Sequence, residues 1–201
     1  MLGKLWNLLP AETLHGYENP ELVETIFRKT IAYRPTKPWP EMEDANTVLD
    51  FGGGCGIHYK QADHQTVRWA VVETPAMVKR ASSLETYHLK FFTNIGEAAA
   101  WLGSIDVMHS DGAVQYAPEP LATVRHLCGL QAHRMLWSRL FLGDGAEVQI
   151  SRLQDNGPGK ISTPRKKVVY PFRRIQKSDF LAAHEGYRLT AGGEDWFQFA
   201  R

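Results

Sequence analysis

The stretch Val48-Leu49-Asp50-Phe51-Gly52-Gly53-Gly54-Cys55-Gly56 runs an apolar strand straight into four glycines within five positions. Glycine has no Cβ, accepts positive φ and lets the main chain approach another molecule closely. The stretch therefore predicts a strand, a tight loop and a helix built around a ligand. A second apolar run, Trp69-Ala70-Val71-Val72, ends in Glu73. A glycine loop after one strand and an acid closing the next is how doubly wound folds hold a nucleoside, the acid accepting the ribose hydroxyls.

The rest of the chain supplies such a fold. Asn19-Pro20-Glu21 starts a helix, with Asn19 as cap and Pro20 at the first helical position. That helix buries Leu22, Ile26, Phe27 and Ile31 and stops near Arg34, before Pro35. The prolines at 35, 38 and 40 mark residues 35–46 as a linker. From Thr47 onward strands and helices alternate. Strands are expected at 47–51, 67–72, 88–92, 105–109 and 134–142, and helices at 57–65, 75–86, 97–102 and 118–130. A further helix at 178–186 precedes two strands, 187–190 and 196–199, joined by Gly192-Gly193-Glu194-Asp195 as a hairpin-like turn. Alternation of this kind gives a parallel sheet covered on both faces. The expected architecture is α/β, a Rossmann-like, doubly wound, mostly parallel seven-stranded sheet with a C-terminal antiparallel hairpin. Residues 1–45 are a helical extension and linker, and 46–201 form the ligand-binding domain.

Composition excludes several classes. The 201 residues carry a formal net charge of +1, so no global field attracts nucleic acid. Two cysteines, Cys55 and Cys128, make no disulfide framework, and a reduced cytoplasmic setting fits. No run is long enough for a membrane span. The apolar start around Trp6, Leu8 and Leu9 is read not as a signal peptide but as an amphipathic segment that packs on the core or lies on a membrane surface, core packing being favoured.

Gly52, Gly54 and Gly56 give G-x-G-x-G, and Ile57 stands where the dinucleotide fingerprint G-x-G-x-x-G has its third glycine. The run Asp50 to Gly56 instead resembles the first motif of class I S-adenosylmethionine-dependent methyltransferases, D/E-x-G-x-G-x-G, and the resemblance extends over about residues 46–201. It implies S-adenosylmethionine as cofactor. Asp50 would meet the methionine ammonium, directly or through water, or orient the loop. Gly52, Gly54 and Gly56 would pass under methionine and ribose, and Glu73 would take the ribose hydroxyls. Thr74, Met77 and Asn94 fall where the family contacts the adenosine, and Ser110 where residues stand beside the methyl group. Three segments, around Asp50, Glu73 and Asp111, resemble a family of bacterial methyltransferases associated with surface-polysaccharide biosynthesis. Asp111 departs from that family, which more usually has an apolar or small residue there.

His109, Asp111 and Tyr116 are the candidate catalytic residues, each with a plainer reading as a strand-end, turn-capping or packing residue. Residues 152–177 hold eight Lys or Arg against one acid, Asp155. They read either as a solvated loop or as a lid for an anionic acceptor, with Arg152, Arg165, Lys166 and Lys167 as its ligands. Cys55-x-x-His58, with His64 nearby, falls short of the four ligands of structural zinc, so no metal is expected. The sequence thus predicts methyl transfer to oxygen or nitrogen of a small molecule or glycan intermediate. Two alternatives stand beside it. One is an NAD(P)-dependent oxidoreductase, for which Tyr33 and Lys37 are the one pair at Tyr-x-x-x-Lys spacing. The other is a non-catalytic cofactor-binding scaffold acting through Trp6, Leu8 and Leu9.

Overall fold

A computed structural model describes residues 12–35, 39–42, 44–62 and 67–201. The apolar start with Trp6, Leu8 and Leu9, Lys37, Pro38 and His64 all lie outside the described residues. The elements in chain order are β1 (Thr13–His15), α1 (Pro20–Ala32), β2 (Thr47–Phe51), α2 (Ile57–Ala62), β3 (Arg68–Val72), α3 (Pro75–Ala81), β4 (Leu89–Phe92), α4 (Ile95–Leu102), β5 (Val107–Asp111), α5 (Pro120–Gly129), β6 (Arg134–Ser138), β7 (Ala146–Arg152), β8 (Lys167–Arg173), α6 (Lys177–Ala182), β9 (Arg188–Gly192) and β10 (Phe197–Ala200).

Seven strands form the main sheet in the order β4-β3-β2-β5-β6-β10-β9. Neighbours from β4 to β6 pair in parallel, and β10 runs antiparallel to both β6 and β9. This is the doubly wound, mostly parallel sheet with a terminal antiparallel hairpin that the alternation predicts. Its central strands are buried on both faces, as parallel strands are. Leu49, Ala70, Met108 and Met135 pack towards α4, α5 and α6 on one face. Val48, Val71, Val107 and Leu136 pack with Met77 and Ala81 of α3 on the other. The chain order reverses between β2 and β5, so the C-terminal ends of these strands diverge and leave a crevice there.

α1 begins as its sequence dictates, the Asn19 side chain accepting from the N–H groups of Glu21 and Leu22 at 3.0 and 3.4 Å. Leu22 and Phe27 are buried, Ile26 is half-buried, and Ile31 is exposed, against expectation. Past α1, the described residues of the linker pack against the domain. Met42 and Ala45 are buried, and the Trp39 ring stands edge-on to His109 with centroids 4.9 Å apart.

The largest departure from the sequence reading is a second, three-stranded sheet in the order β1-β8-β7. It has its own apolar cluster of Leu14, Leu22, Leu153, Val168 and Tyr170. The basic stretch 152–177 is therefore not a free loop. It contains β8, whose side chains alternate exposed and buried, and which pairs with β7 over its whole length. Pro171, which lacks an N–H, is tolerated because β1 pairs only with residues 167–169. The fifth strand ends at Ser138, not at 142, and the fourth runs to Asp111, not to 109.

Candidate active site

A cavity of about 850 Å³ opens at the C-terminal ends of β2, β3 and β5. Its floor is Phe51, Gly52, Gly53 and Gly54 from the loop after β2, with Val72, Glu73, Thr74 and Met77 beside them. Thr93, Asn94 and Ile95 close one end, and Asp111, Gly112, Ala113 and Tyr116 the other. The second sheet forms a roof through Gln149, Ser151 and Tyr170, and α1 adds Ile26 and Thr30.

The glycine loop needs its glycines. Gly52 has φ +78°, and a Cβ there would stand 2.1 Å from the Ala113 Cβ. A Cβ on Gly53 would stand 2.2 Å from an Asp50 carboxylate oxygen. Glu73, at the end of the neighbouring strand β3, fixes the loop, its carboxylate accepting from Gly54 N–H at 3.0 Å and Thr74 N–H at 2.8 Å. Burial raises the Glu73 carboxyl above its ordinary pKa, and those two N–H bonds oppose it. The hydroxyls of Thr30 and Thr74 are both buried beside the cavity without a hydrogen-bond partner in the described chain. An acid on the loop and unmatched hydroxyls facing the same space suit a polar ligand such as a ribose-bearing cofactor.

Asp50 does not line this cavity. It is fully buried, and its carboxylate accepts from His58 Nδ1 at 2.9 and 3.0 Å, His109 Nδ1 at 3.0 Å and Trp69 Nε1 at 3.1 Å. A direct bond to a ligand ammonium is thereby ruled out, because every approach is taken. Orienting the loop is the role left to it. Burial alone would raise the Asp50 carboxyl, but the charge of His58 and the bonds from His109 and His58 hold it well below the usual range. Burial disfavours a charged His58, yet Asp50 and Asp111 outweigh it and push its pKa up to about 10. His109 goes the other way, lowered first by burial and then by the charge of His58. With Nδ1 held by Asp50 and no place in the cavity wall, it is poorly placed as a general base. Ser110 and Gly56 also lie outside the wall. Ser110 is buried in β5, and Gly56 turns at φ +82° into α2 against Leu89 and Phe91.

Asp111 does reach the cavity. Its carboxylate accepts from Ser138 Oγ and Arg139 Nε, both at 2.6 Å, and Arg139 Nη2 at 2.8 Å, with His58 Nε2 at 3.6 Å. Burial would raise it, but His58 and Arg139 hold it far below the usual carboxylate range. A carboxylate so stabilised is a weak base and a firm anchor. Tyr116 lines the cavity with its hydroxyl on Gln149 and its ring edge-on to Tyr17 and Tyr170, and burial raises its pKa. Tyr17 and Tyr170 themselves stack with centroids 4.6 Å apart.

The four basic residues expected to bind an acceptor fall elsewhere. Lys166 bonds Glu12 and Glu21 at 2.8 and 2.5 Å, and Arg152, Arg165 and Lys167 are likewise absent from the cavity wall. Arg139 and Tyr17 are in the wall and went unnoticed in the sequence, since nothing local marks either. Cys55 is buried with Sγ 3.3 Å from Met77 Sδ and belongs to no group of possible metal ligands among the described residues. Asp50, His58 and His109 do place one donor atom each within 4.8 Å of one another. Both imidazole nitrogens already face carboxylate oxygens at hydrogen-bond distance, so the cluster closes on itself. Tyr33 is the C-cap of α1, remote in kind from a catalytic tyrosine–lysine pair.

No protein-family model matches the sequence, and no curated protein matches it either. Solved structures do match. The sugar N-methyltransferase KedS8 from Streptoalloteichus shares 17% identity over 90% of this chain and 87% of its own, with a TM-score of 0.51. Magnesium protoporphyrin IX methyltransferase from Synechocystis, with bound SAM, gives 15%, 90%, 77% and 0.48 on the same measures. The 1,6-didemethyltoxoflavin-N1-methyltransferase of Burkholderia thailandensis, with S-adenosylhomocysteine, gives 14%, 90%, 78% and 0.48. At these identities the likeness speaks to the fold alone, and the fold is the Rossmann-like one on which methyltransferases are built.

Proposed function

We propose that this chain is an S-adenosylmethionine-dependent methyltransferase acting on oxygen or nitrogen of a small molecule or glycan intermediate. The carrying observation is Glu73, in the cavity wall at the end of β3, with its carboxylate on the Gly54 N–H of the facing loop. Glycine loop and acid follow the neighbouring strands β2 and β3, on one side of the strand-order reversal, at the crevice where doubly wound sheets take their ligands. Glu73 and the hydroxyl of Thr74 would hold the ribose, the Gly52–Gly54 backbone would underlie the methionine end, and Met77 and Asn94 would face the adenine. S-adenosylmethionine supplies an electrophilic methyl group. The chain's own part is to orient the acceptor and exclude water, which is where most of the acceleration of an in-line displacement can come from. Tyr17, Tyr116 and the roof residue Gln149 would wall the acceptor, with Asp111 as a fixed polar anchor.

The charges in the wall bear on the acceptor. Glu73, Asp111 and Asp155 face it, while Arg139 is committed to Asp111. This supports an uncharged or amine-bearing acceptor over an anionic one. Replacing Arg152, Arg165, Lys166 and Lys167 together by Gln should leave both S-adenosylhomocysteine affinity and the acceptor KM unchanged; a raised KM for an anionic acceptor would return that segment to the site.

Glu73→Ala tests the assignment itself. Removing a charged hydrogen-bonding group is worth about 1.5–3 kcal/mol, so S-adenosylhomocysteine affinity should fall roughly 10- to 150-fold by calorimetry. Unchanged affinity in a folded variant would remove Glu73 from the site.

A further inference from the structure

We propose that His58 is a positioning residue that couples the glycine loop to the acceptor side of the cavity by bridging Asp50 and Asp111. Its ring has one nitrogen on each carboxylate. Nδ1 lies 2.9 Å from Asp50 Oδ2, and Nε2 lies 3.6 Å from Asp111 Oδ2. Asp111 continues to Arg139, so four groups of alternating charge run from beneath β2 to the cavity wall. His58 stands on α2, which leaves the glycine loop directly at Ile57, and any shift of that loop moves the ring. The loop also touches the acceptor side through Gly52 and Ala113, leaving no slack between them. The ring's other neighbours hold it in place without competing for its protons. Trp39 stands edge-on at 5.9 Å, and His109 edge-on at 4.6 Å with its own Nδ1 on Asp50. Sequence spacing hides this pairing, because Asp111 is 53 positions from His58 and stands in a different strand.

The consequence is reciprocal, as any coupling between two sites must be. A molecule that orders the glycine loop fixes Asp111, and a change at Asp111 is felt at the loop. This second statement rests on the methyl-donor reading, and its test is built to fail separately from that reading. Histidine nitrogen NMR on the full chain comes first and needs no ligand. One ring, assigned through His58→Gln, should carry protons on both nitrogens at pH 8. A neutral His58 there would overturn the bridge. Next, S-adenosylhomocysteine affinity is measured for wild type, His58→Gln, Asp111→Asn and the double variant, with folding checked by circular dichroism. Each single change should weaken binding about three- to tenfold, and the double should be no weaker than the weaker single. Asp111→Asn alone keeps the test usable if His58→Gln fails to fold, since unchanged affinity in it would overturn the coupling. Fully additive losses would do the same. So would one equivalent of Zn²⁺ bound tightly by wild type and not by His109→Ala, because Asp50, His58 and His109 would then be ligands of an ion. If wild type binds no S-adenosylhomocysteine, the methyl-donor reading falls and the NMR result still decides the bridge.

Discussion

Asp50→Asn is expected to lower the melting temperature by on the order of 10 °C. The change keeps the shape of the side chain and removes the nearer of the two carboxylate charges that balance a buried imidazolium. Breaking a buried ion pair by removing one partner costs about 3–5 kcal/mol, and each kcal/mol shifts the midpoint about 2–4 °C in a chain of this length. The same cluster sets a pH dependence. His58 is raised to about 10, so its contribution is complete below its unfolded pKa of about 6.5 and drains away as pH climbs towards 10. Asp50 is lowered, so its contribution is present above about pH 3.9 and is lost as the solution turns acid. His109 is lowered by burial and opposes the folded state below about pH 6.5, where the unfolded chain takes up its proton. Melting temperature should therefore fall between pH 6.5 and 8.5, and Asp50→Asn should flatten that slope. Towards pH 8.5 the thiols of Cys55 and Cys128, pushed up to about 12 by burial, begin to add their own loss, because unfolded cysteine ionises at about 8.5, and Asp50→Asn leaves that part in place. An unchanged melting temperature in Asp50→Asn would mean that the cluster carries no net charge pair.

Gly52→Ala should abolish methyl-donor binding and destabilise the chain together. A side chain at φ +78° costs about 1–2 kcal/mol. A Cβ 2.1 Å from the Ala113 Cβ must also push two loops apart, and overpacking of this kind costs about 1–3 kcal/mol. The floor of the cavity moves with them. Gly159→Ala is the matched control, since it has φ +61° and open space around the new Cβ. It should pay only the backbone strain and bind S-adenosylhomocysteine like wild type. Normal binding by Gly52→Ala would show that the loop does not form the donor site.

The main sheet was readable because its strands are short apolar runs separated by helical segments, two begun by Pro75 and Pro120 and one capped by Asn94, and these signals are local. The glycine loop and Glu73 were readable for the same reason. The Asp50 cluster was not, because its partners come from α2, β3 and β5 and each looks ordinary alone. One signal did exist. Asp50 stands in a strand whose neighbouring residues are all apolar, so its carboxylate needed buried partners. In the register of β2 with β5, Asp50 lies directly opposite His109. Reading His109 as a cavity residue came from ending its strand two positions early. The second sheet was missed because the positive charges and Pro171 of β8 outweighed its clean alternation, and β7 exposes Val148 and Ile150 on its outer face. A three-residue strand such as β1 has no sequence signal of its own. It forms because β8 offers it an edge.

Calorimetric titration of the full chain with S-adenosylhomocysteine and, separately, with NADH tests the central claim most directly. The geometry around Glu73 predicts one equivalent of S-adenosylhomocysteine bound at micromolar affinity and no heat from NADH. Binding of NADH without S-adenosylhomocysteine would contradict it and make the glycine loop a dinucleotide site.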